Sequence, residues 1–357
     1  MKVIVTAGGT GGHVYPALAI IDKIKELEPD SKFLFIGTKE RMESKLVPSL
    51  GIDYIGIEMN GLSKNIVKLA KTGYLTIKNT SYCKKLIKEF KPDAVIGIGG
   101  YVTYPVIRAA KALKVKTFIH EQNSIPGKTN VMLARLADKI GISFEESKKY
   151  FDEKKCVFTG NPCSERALKI DKIPKEKYGI KENRKFVIMT QGSLGSTSVN
   201  EKMKEFLSSI DDEKYDVLYI TGKSSYEEFS KNKFSKNVHI TSYVENLAGL
   251  MKEADAIVSR AGASTISEII ALEKLSILIP SPYVANNHQF FNALSITNNR
   301  AALMIEEKNL NKDNLKKALN DILFDKQTII NMKINLKKLQ KNDSSTIIYN
   351  TIKEMIK

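Results

Sequence analysis

Lys2-Val3-Ile4-Val5-Thr6-Ala7-Gly8-Gly9-Thr10-Gly11-Gly12-His13-Val14-Tyr15-Pro16-Ala17-Leu18-Ala19 stands near the start of the chain and decides how the rest is read. Its first six residues are mostly apolar and β-branched, without alternation. That is the pattern of a strand buried on both faces of a parallel sheet. Four glycines follow, and Pro16 then opens a stretch of helical period. Glycines between strand and helix let backbone N–H groups approach an anion closely, and the helix dipole adds attraction. Strand, glycine loop and helix form the repeating unit of a doubly wound α/β fold.

The same alternation continues outward from this stretch. Near-continuous apolar runs at 32–37, 53–58, 94–98, 116–120, 139–143 and 156–159 read as further strands. A second series follows at 185–190, 216–221, 238–242, 256–259, 276–280 and 302–306. Segments of helical period, such as 15–28 and 264–272, separate them. The expected architecture is two doubly wound α/β domains with mostly parallel sheets. The join falls near Asn161-Pro162 and the Lys-rich stretch to Arg184. The first domain is expected over 1–161 with a C-terminal helix at about 343–357 returning to it, and the second over 162–342.

Composition narrows the function classes. The chain has 357 residues, 42% of them hydrophobic, which is enough for globular cores and excludes a disordered chain. No apolar run approaches the roughly 20 residues of a membrane span. The apolar start is too short for a signal peptide, so a cytoplasmic location is expected. Three cysteines (Cys83, Cys156, Cys163) form no CxxC pair, and four scattered histidines add no zinc spacing, so no metal site is expected. The 56 Lys+Arg exceed the 40 Asp+Glu by 16. Nucleic acid, an anionic membrane face and phosphorylated substrates are the partners such a surplus suits.

Glycine recurs where strands should end. Gly97-Ile98-Gly99-Gly100-Tyr101, Gly192-Ser193-Leu194-Gly195 and Ala261-Gly262-Ala263-Ser264-Thr265 repeat the arrangement, the last leading into a helix that carries Glu268. None is a dinucleotide fingerprint: the GxGxxG frame gives Gly9, Gly11, Val14 in one case and Gly97, Gly99, Val102 in another. The second strand ends Phe35-Ile36-Gly37-Thr38 without the acid that a ribose would need, and no GxxxxGK[ST] is present. A dehydrogenase and a P-loop enzyme are both disfavoured.

The glycine loop ending in His13 resembles the opening loop of the MurG family. These are membrane-associated N-acetylglucosaminyltransferases of glycosyltransferase family 28 that convert lipid I to lipid II in peptidoglycan synthesis. Further matches in the family's order are Gly99-Gly100-Tyr101-Val102, His120-Glu121-Gln122-Asn123 with Pro126-Gly127, and Gly160-Asn161-Pro162. The second half adds Ser259-Arg260-Ala261-Gly262-Ala263 with Glu268, and Ala285-Asn286-Asn287-His288-Gln289 with Asn292-Ala293. The resemblance implies a GT-B fold, two Rossmann-like domains facing an interdomain cleft. It implies UDP-GlcNAc bound mainly by the C-terminal domain and lipid I by the N-terminal one, with inversion in a single displacement and neither metal nor cofactor. Four places depart from the family: Gln191 and Leu194 around the serine loop, Glu273 and Leu275 before a strand, and Cys163-Ser164-Glu165-Arg166 where many members carry a donor-site Arg.

On this reading negative charge grows on the departing diphosphate, which preorganised N–H donors stabilise. Ser193 and the helix start at Ala263, Ser264 and Thr265 suit that task, while Glu268 suits the ribose hydroxyls. Gln289 suits the sugar hydroxyls, Asn123 the sugar or acceptor, and Val244 matches the family position whose backbone reads uracil. Thr10, Gly11 and Gly12 form the phosphate-facing part of the first loop. Two residues compete for general base: His13, with its near-neutral ordinary pKa, and Glu121, if burial raises its own. His13 has the alternative role of binding the acceptor diphosphate.

Between Leu62 and Lys91 eight lysines face one acid, Glu89. At steps of three and four, Lys64, Lys68, Lys71, Leu75, Lys78, Tyr82 and Lys85 share one helical face. A lysine face with interleaved apolar residues fits an anionic membrane surface, and a solvated helix face is the plain alternative. The expected location is therefore peripheral, on the cytoplasmic face of the cell membrane, with no nucleic-acid partner. Competing readings are another GT-B transferase on a lipid acceptor or a UDP-GlcNAc 2-epimerase, a nucleic-acid-binding protein favoured only by the basic charge and lacking any RRM, KH or zinc-finger signature, and a non-catalytic sugar-nucleotide sensor.

Overall fold

Seven parallel strands build the first sheet: β1 (Lys2–Ala7), β2 (Lys32–Thr38), β3 (Asp53–Ile57), β4 (Ala94–Gly99), β5 (Lys116–Glu121), β6 (Lys139–Ile142) and β7 (Cys156–Phe158). Their order is β3-β2-β1-β4-β5-β6-β7. Six more parallel strands build the second: β8 (Lys185–Thr190), β9 (Tyr215–Ile220), β10 (Val238–Thr241), β11 (Ala256–Ser259), β12 (Leu275–Leu278) and β13 (Leu303–Met304), ordered β10-β9-β8-β11-β12-β13. These strands belong to a computed structural model that describes residues 1–61, 65–191, 197–210 and 214–357. The chain divides into two compact units, Met1–Cys163 with Asp343–Lys357, and Ser164–Asn342.

The strands lack hydrophobic alternation because helices cover both faces of each sheet. In β1, Val3, Val5 and Ala7 enter one core with Val14, Leu18 and Ile21 of the helix Gly11–Leu27. Ile4 enters the opposite core with Cys83, Leu86 and Val106. In the second unit Val187 and Met189 of β8 pack with Met203, Phe206, Leu315 and Ile322. The C-terminal helix Ser344–Ile356 belongs to the first core through Ile348, Ile352 and Met355. Its polar side clasps Glu28, which accepts from Lys353 Nζ at 2.6 Å, from the Met1 amine at 3.0 Å and from Tyr349 Oη at 2.8 Å.

Two helices differ from the sequence pattern. The first starts at Gly11, not at residue 15, so Pro16 lies in its second turn and leaves the Gly12 carbonyl without an i+4 donor. The helix Ile66–Phe90 runs unbroken through Gly73. Its buried seam contains Thr72, Leu75, Asn79, Cys83 and Leu86. Leu75 therefore faces the core at 4% exposure, which corrects its placement on the lysine face. Among the side chains described, Leu69, Tyr74 and Ile77 are large apolar residues of this helix that lie exposed, with Tyr82 beyond them. Lys71, Lys78 and Lys85 flank them in solvent, Lys71 paired with Glu58 at 3.1 Å. Lys64, and the side chain of Lys68, lie outside the described residues. No helix among the described residues is long and apolar enough to cross a membrane.

Candidate active site

Ligands of doubly wound sheets sit beyond the carboxyl ends of the strands, where strand order reverses. In the first sheet that point lies between β1 and β4. Gly8 N–H donates to the Gly99 carbonyl at 3.2 Å, tying the loop after β1 to the loop after β4. The approach demands glycine, because a Cβ on Gly100 would stand 2.3 Å from the Gly8 oxygen. Thr10 is the N-cap of the helix Gly11–Leu27, and its side chain makes no capping bond. The first N–H groups to turn back belong to His13 and Val14, which reach the Thr10 carbonyl at 3.1 and 3.2 Å. Those of Gly11 and Gly12 precede the helical ladder, at a positive dipole end whose Thr10 and Gly12 are exposed.

The His13 ring lies over Gly99, where an added Cβ would come 2.7 Å from its Cδ2. Its Nδ1 is 3.1 Å from the Gly8 carbonyl. A carbonyl can only accept, so Nδ1 carries the proton and Nε2 holds the lone pair of the neutral ring. That is the tautomer a general base requires.

Glu121 is placed otherwise. At the end of β5 it is 2% exposed. One oxygen accepts from the Asn123 N–H at 2.9 Å and its Nδ2 at 3.2 Å. The other accepts from the Gly127 N–H at 3.0 Å and Asn130 Nδ2 at 2.9 Å. Burial pushes this carboxyl up, and the four donors pull it back. A carboxylate bonded in this way ties together residues 121–130 and takes Asn123 with it. Its neighbour His120 is also structural. Gln122 Nε2 meets its Nδ1 at 3.1 Å, Nε2 meets the Gly160 carbonyl at 3.0 Å, and burial lowers its pKa to about 4.

In the second sheet the order reverses between β8 and β11. Ser193, in the loop after β8, lies outside the described residues. Gln191 at the head of that loop is buried, and neither of its amide atoms has a hydrogen-bond partner. After β11, Gly262 caps the helix Ala263–Ala271 without a side-chain bond. Ile266 N–H is the first to turn back, reaching the Gly262 carbonyl at 2.9 Å. The N–H groups of Ala263, Ser264 and Thr265 thus stand ahead of the ladder, and the Ser264 hydroxyl is buried without a partner. Arg260 holds this turn in place, its Nη1 2.7 Å from Glu307 and 3.2 Å from the Ile279 carbonyl.

Glu268 is partly exposed on that helix. Burial raises its pKa to about 7, and the charge of Arg166 works in the opposite direction. Arg166 is a residue that the motif reading left aside, and its charge acts on Glu268 across about a hundred residues of sequence. Val244 is buried beyond β10. Gln289 Oε1 accepts from the Ser281 N–H at 2.9 Å, which leaves the side chain its amide N–H groups for a ligand. No group of three or more His, Cys, Asp or Glu able to hold a metal ion occurs among the described residues.

Two parallel doubly wound sheets, each with an open helix N-terminus at its switch point, are the architecture of the GT-B fold. The chain belongs to glycosyltransferase family 28: residues 3–142 match the family's N-terminal domain and residues 186–347 its C-terminal domain. It is 40% identical over 363 residues to the UDP-N-acetylglucosamine--N-acetylmuramyl-(pentapeptide) pyrophosphoryl-undecaprenol N-acetylglucosamine transferase 1 of Bacillus cereus, with 100% of both chains covered. Its fold is similar to that of Acinetobacter baumannii MurG, with a TM-score of 0.78 at 24% identity, covering 99% of this chain and 100% of that one. It is also similar to the UDP-GlcNAc 2-epimerase from Neisseria meningitidis bound to UDP-GlcNAc, with a TM-score of 0.69 at 16% identity and 99% and 100% coverage. At those identities the structural likenesses speak for the fold alone.

Proposed function

We propose that this chain transfers N-acetylglucosamine from UDP-GlcNAc to the C4 hydroxyl of the muramyl sugar in undecaprenyl-pyrophosphoryl-MurNAc-pentapeptide, converting lipid I to lipid II. The end-to-end identity of 40% with the Bacillus cereus transferase carries this reading, because the epimerase shares the fold without comparable sequence.

The unit Ser164–Asn342 takes the donor. The open N–H groups of Ala263, Ser264 and Thr265, together with Arg166 and Ser193, meet the diphosphate, where negative charge accumulates as the glycosidic bond breaks. Glu268 accepts from the ribose hydroxyls, Gln289 donates to the sugar, and the Val244 backbone borders uracil. The unit Met1–Cys163 takes the acceptor. Thr10, Gly11 and Gly12 cradle its pyrophosphate, and Asn123, held by Glu121, borders the sugar. His13 Nε2 removes the proton from the C4 hydroxyl as that oxygen attacks the anomeric carbon. UDP leaves with the bonding electron pair, and the configuration inverts.

The lipid acceptor requires a membrane surface. The helix Ile66–Phe90 presents Leu69, Tyr74 and Ile77 among Lys71, Lys78 and Lys85. Apolar side chains framed by lysines suit the boundary of an anionic leaflet, each lysine adding about 1 kcal/mol. The location this supports is peripheral, on the cytoplasmic face.

Radiolabelled UDP-GlcNAc and a lipid I analogue test the reading directly. Label should enter the lipid product, with and without EDTA. Conversion of UDP-GlcNAc to its 2-epimer in the absence of acceptor, with no label in lipid, would replace the transferase by the epimerase reading. Loss of transfer on adding EDTA would contradict the metal-independent displacement.

A further inference from the structure

An acid lies beneath the first glycine loop that neither the motifs nor the reaction above accounts for. Glu43 opens the short helix Glu43–Ser49 and is fully buried. Its Oε1 accepts from the Thr38 hydroxyl at 2.6 Å, from the Thr38 N–H at 3.1 Å and, at a longer 3.4 Å, from the Gly9 N–H. Its Oε2 is buried with no hydrogen-bond partner. Burying a carboxylate oxygen unpaired costs free energy, so the residue calls for a reason to be there.

The backbone is cut to admit it. A Cβ on Gly8 would stand 2.6 Å from Glu43 Oε1, and one on Gly37 would stand 2.9 Å from its Cγ. Thr38 ends β2, the place where a dinucleotide-binding fold keeps an acid for ribose. Here the acid arrives five residues later and turns back onto the protein. It touches Gly8, whose carbonyl meets His13 Nδ1 at 3.1 Å and whose N–H is tied to Gly99 at 3.2 Å. A single peptide unit thus has Glu43 on one side and the His13 ring on the other.

We propose that Glu43 is a positioning residue for His13. By fixing the Gly8–Gly9 backbone it aims the Gly8 carbonyl at Nδ1, and so sets the tautomer and direction of Nε2. The feature that matters is the acceptor atom Oε1 and the shape around it. The inference rests on His13 acting as the base.

The test measures transfer to a lipid I analogue by the full-length chain, with kcat and the KM for UDP-GlcNAc determined separately. Glu43→Met keeps the bulk and removes the acceptor; Glu43→Gln keeps an acceptor oxygen. Glu43→Met should lower kcat about 10-fold and leave the donor KM within about 2-fold, the pattern of a lost transition-state interaction. Glu43→Gln should recover most of that loss. In a His13→Ala background Glu43→Met should cause little further loss, because residues acting as one unit are non-additive. If Glu43→Met fails to fold, Thr38→Val, which removes the hydroxyl donor, should give the same kcat pattern. An unchanged kcat in these variants, a Gln variant as poor as the Met one, or an equal loss in the His13→Ala background overturns the proposal. Wild-type turnover by His13→Ala alone would instead remove the base itself, a failure read from that single variant.

Discussion

On the proposed reading, Glu268 is the residue that should make donor binding sensitive to pH. Burial holds its carboxyl at about 7, opposed by Arg166. Only the ionised form accepts from both ribose hydroxyls without donating, so donor binding should weaken as pH falls below about 7. The KM for UDP-GlcNAc should rise there by up to about 10-fold per pH unit, the limit for one proton. Glu268→Gln should raise the KM at pH 8 and flatten its slope between pH 6 and 8. An unaltered slope in that variant would place the titrating group elsewhere. His13→Ala should behave in the opposite way, lowering kcat at least about 100-fold with the donor affinity nearly unchanged. His13 and Glu268 are singled out as candidates by the sequence because each lies in or just after a glycine loop with few alternatives. Arg166 and Glu43 are not. Each meets a partner far away in the chain: Arg166 acts on Glu268, about a hundred residues on, and Glu43, at the start of the helix Glu43–Ser49, meets the Gly9 N–H, 34 residues back. Glu121 shows the converse: its place at the end of β5 is readable, but of the four donors that close on it three come from the loop 122–127 and one, Asn130, from the helix Lys128–Ala134, a path no spacing reveals.

The helix Ile66–Phe90 shows what periodicity does and does not fix at the scale of an element. A lysine-rich amphipathic helix is plain from the sequence, yet two stripes of similar spacing run along it. Which one is buried depends on what packs against it, and the stripe of Cys83 and Leu86 wins because it shares a core with Ile4, Leu34 and Ile36 of the sheet, while Leu75 on the same stripe is also buried. The two stripes predict different phenotypes. Leu75→Ala should cost about 2–5 kcal/mol of stability by opening a core cavity, with little specific effect on vesicle binding by the folded protein. Tyr74→Ser with Ile77→Ser, at positions 64% and 69% exposed, should leave the melting temperature within a few degrees. The same pair should reduce co-sedimentation with phosphatidylglycerol vesicles. Vesicle binding that survives the Tyr74/Ile77 pair, in a protein that still melts normally, would move the membrane contact off this helix. The strands stand at the readable end of the scale. Each of the thirteen apolar runs has its strand among the described residues, because a parallel sheet covered on both faces leaves no alternation to misread.

At the scale of the whole molecule the chain returns to its beginning. The helix Ser344–Ile356 joins the unit of Met1–Cys163 after the second sheet is complete. Its amphipathic period is visible in the sequence, whereas its docking partner depends on Ile348, Ile352 and Met355 finding the face of β1 and the helix Gly11–Leu27. Burying side chains of this size contributes about 1.5–3 kcal/mol each, so Ile352→Ala should loosen the first unit measurably. The polar clasp gives this docking a pH dependence. Glu28 is lowered to about 2 by its bond from Lys353 first, then by the Met1 amine and Tyr349. In the unfolded chain its pKa returns to about 4.3. A depressed carboxylate contributes stability that is fully present above the unfolded value and is lost as pH falls through the folded one. The first unit should therefore lose part of its stability between about pH 5 and pH 2. Glu28 keeps some solvent contact, so the effect is modest and weakens with salt. Thermal melts of Glu28→Gln and the wild type should differ most near pH 6 and converge toward pH 2. A constant gap across that range would mean that the clasp acts through shape alone, and Lys353→Met, which leaves the carboxylate in place, would then show no pH-dependent difference either.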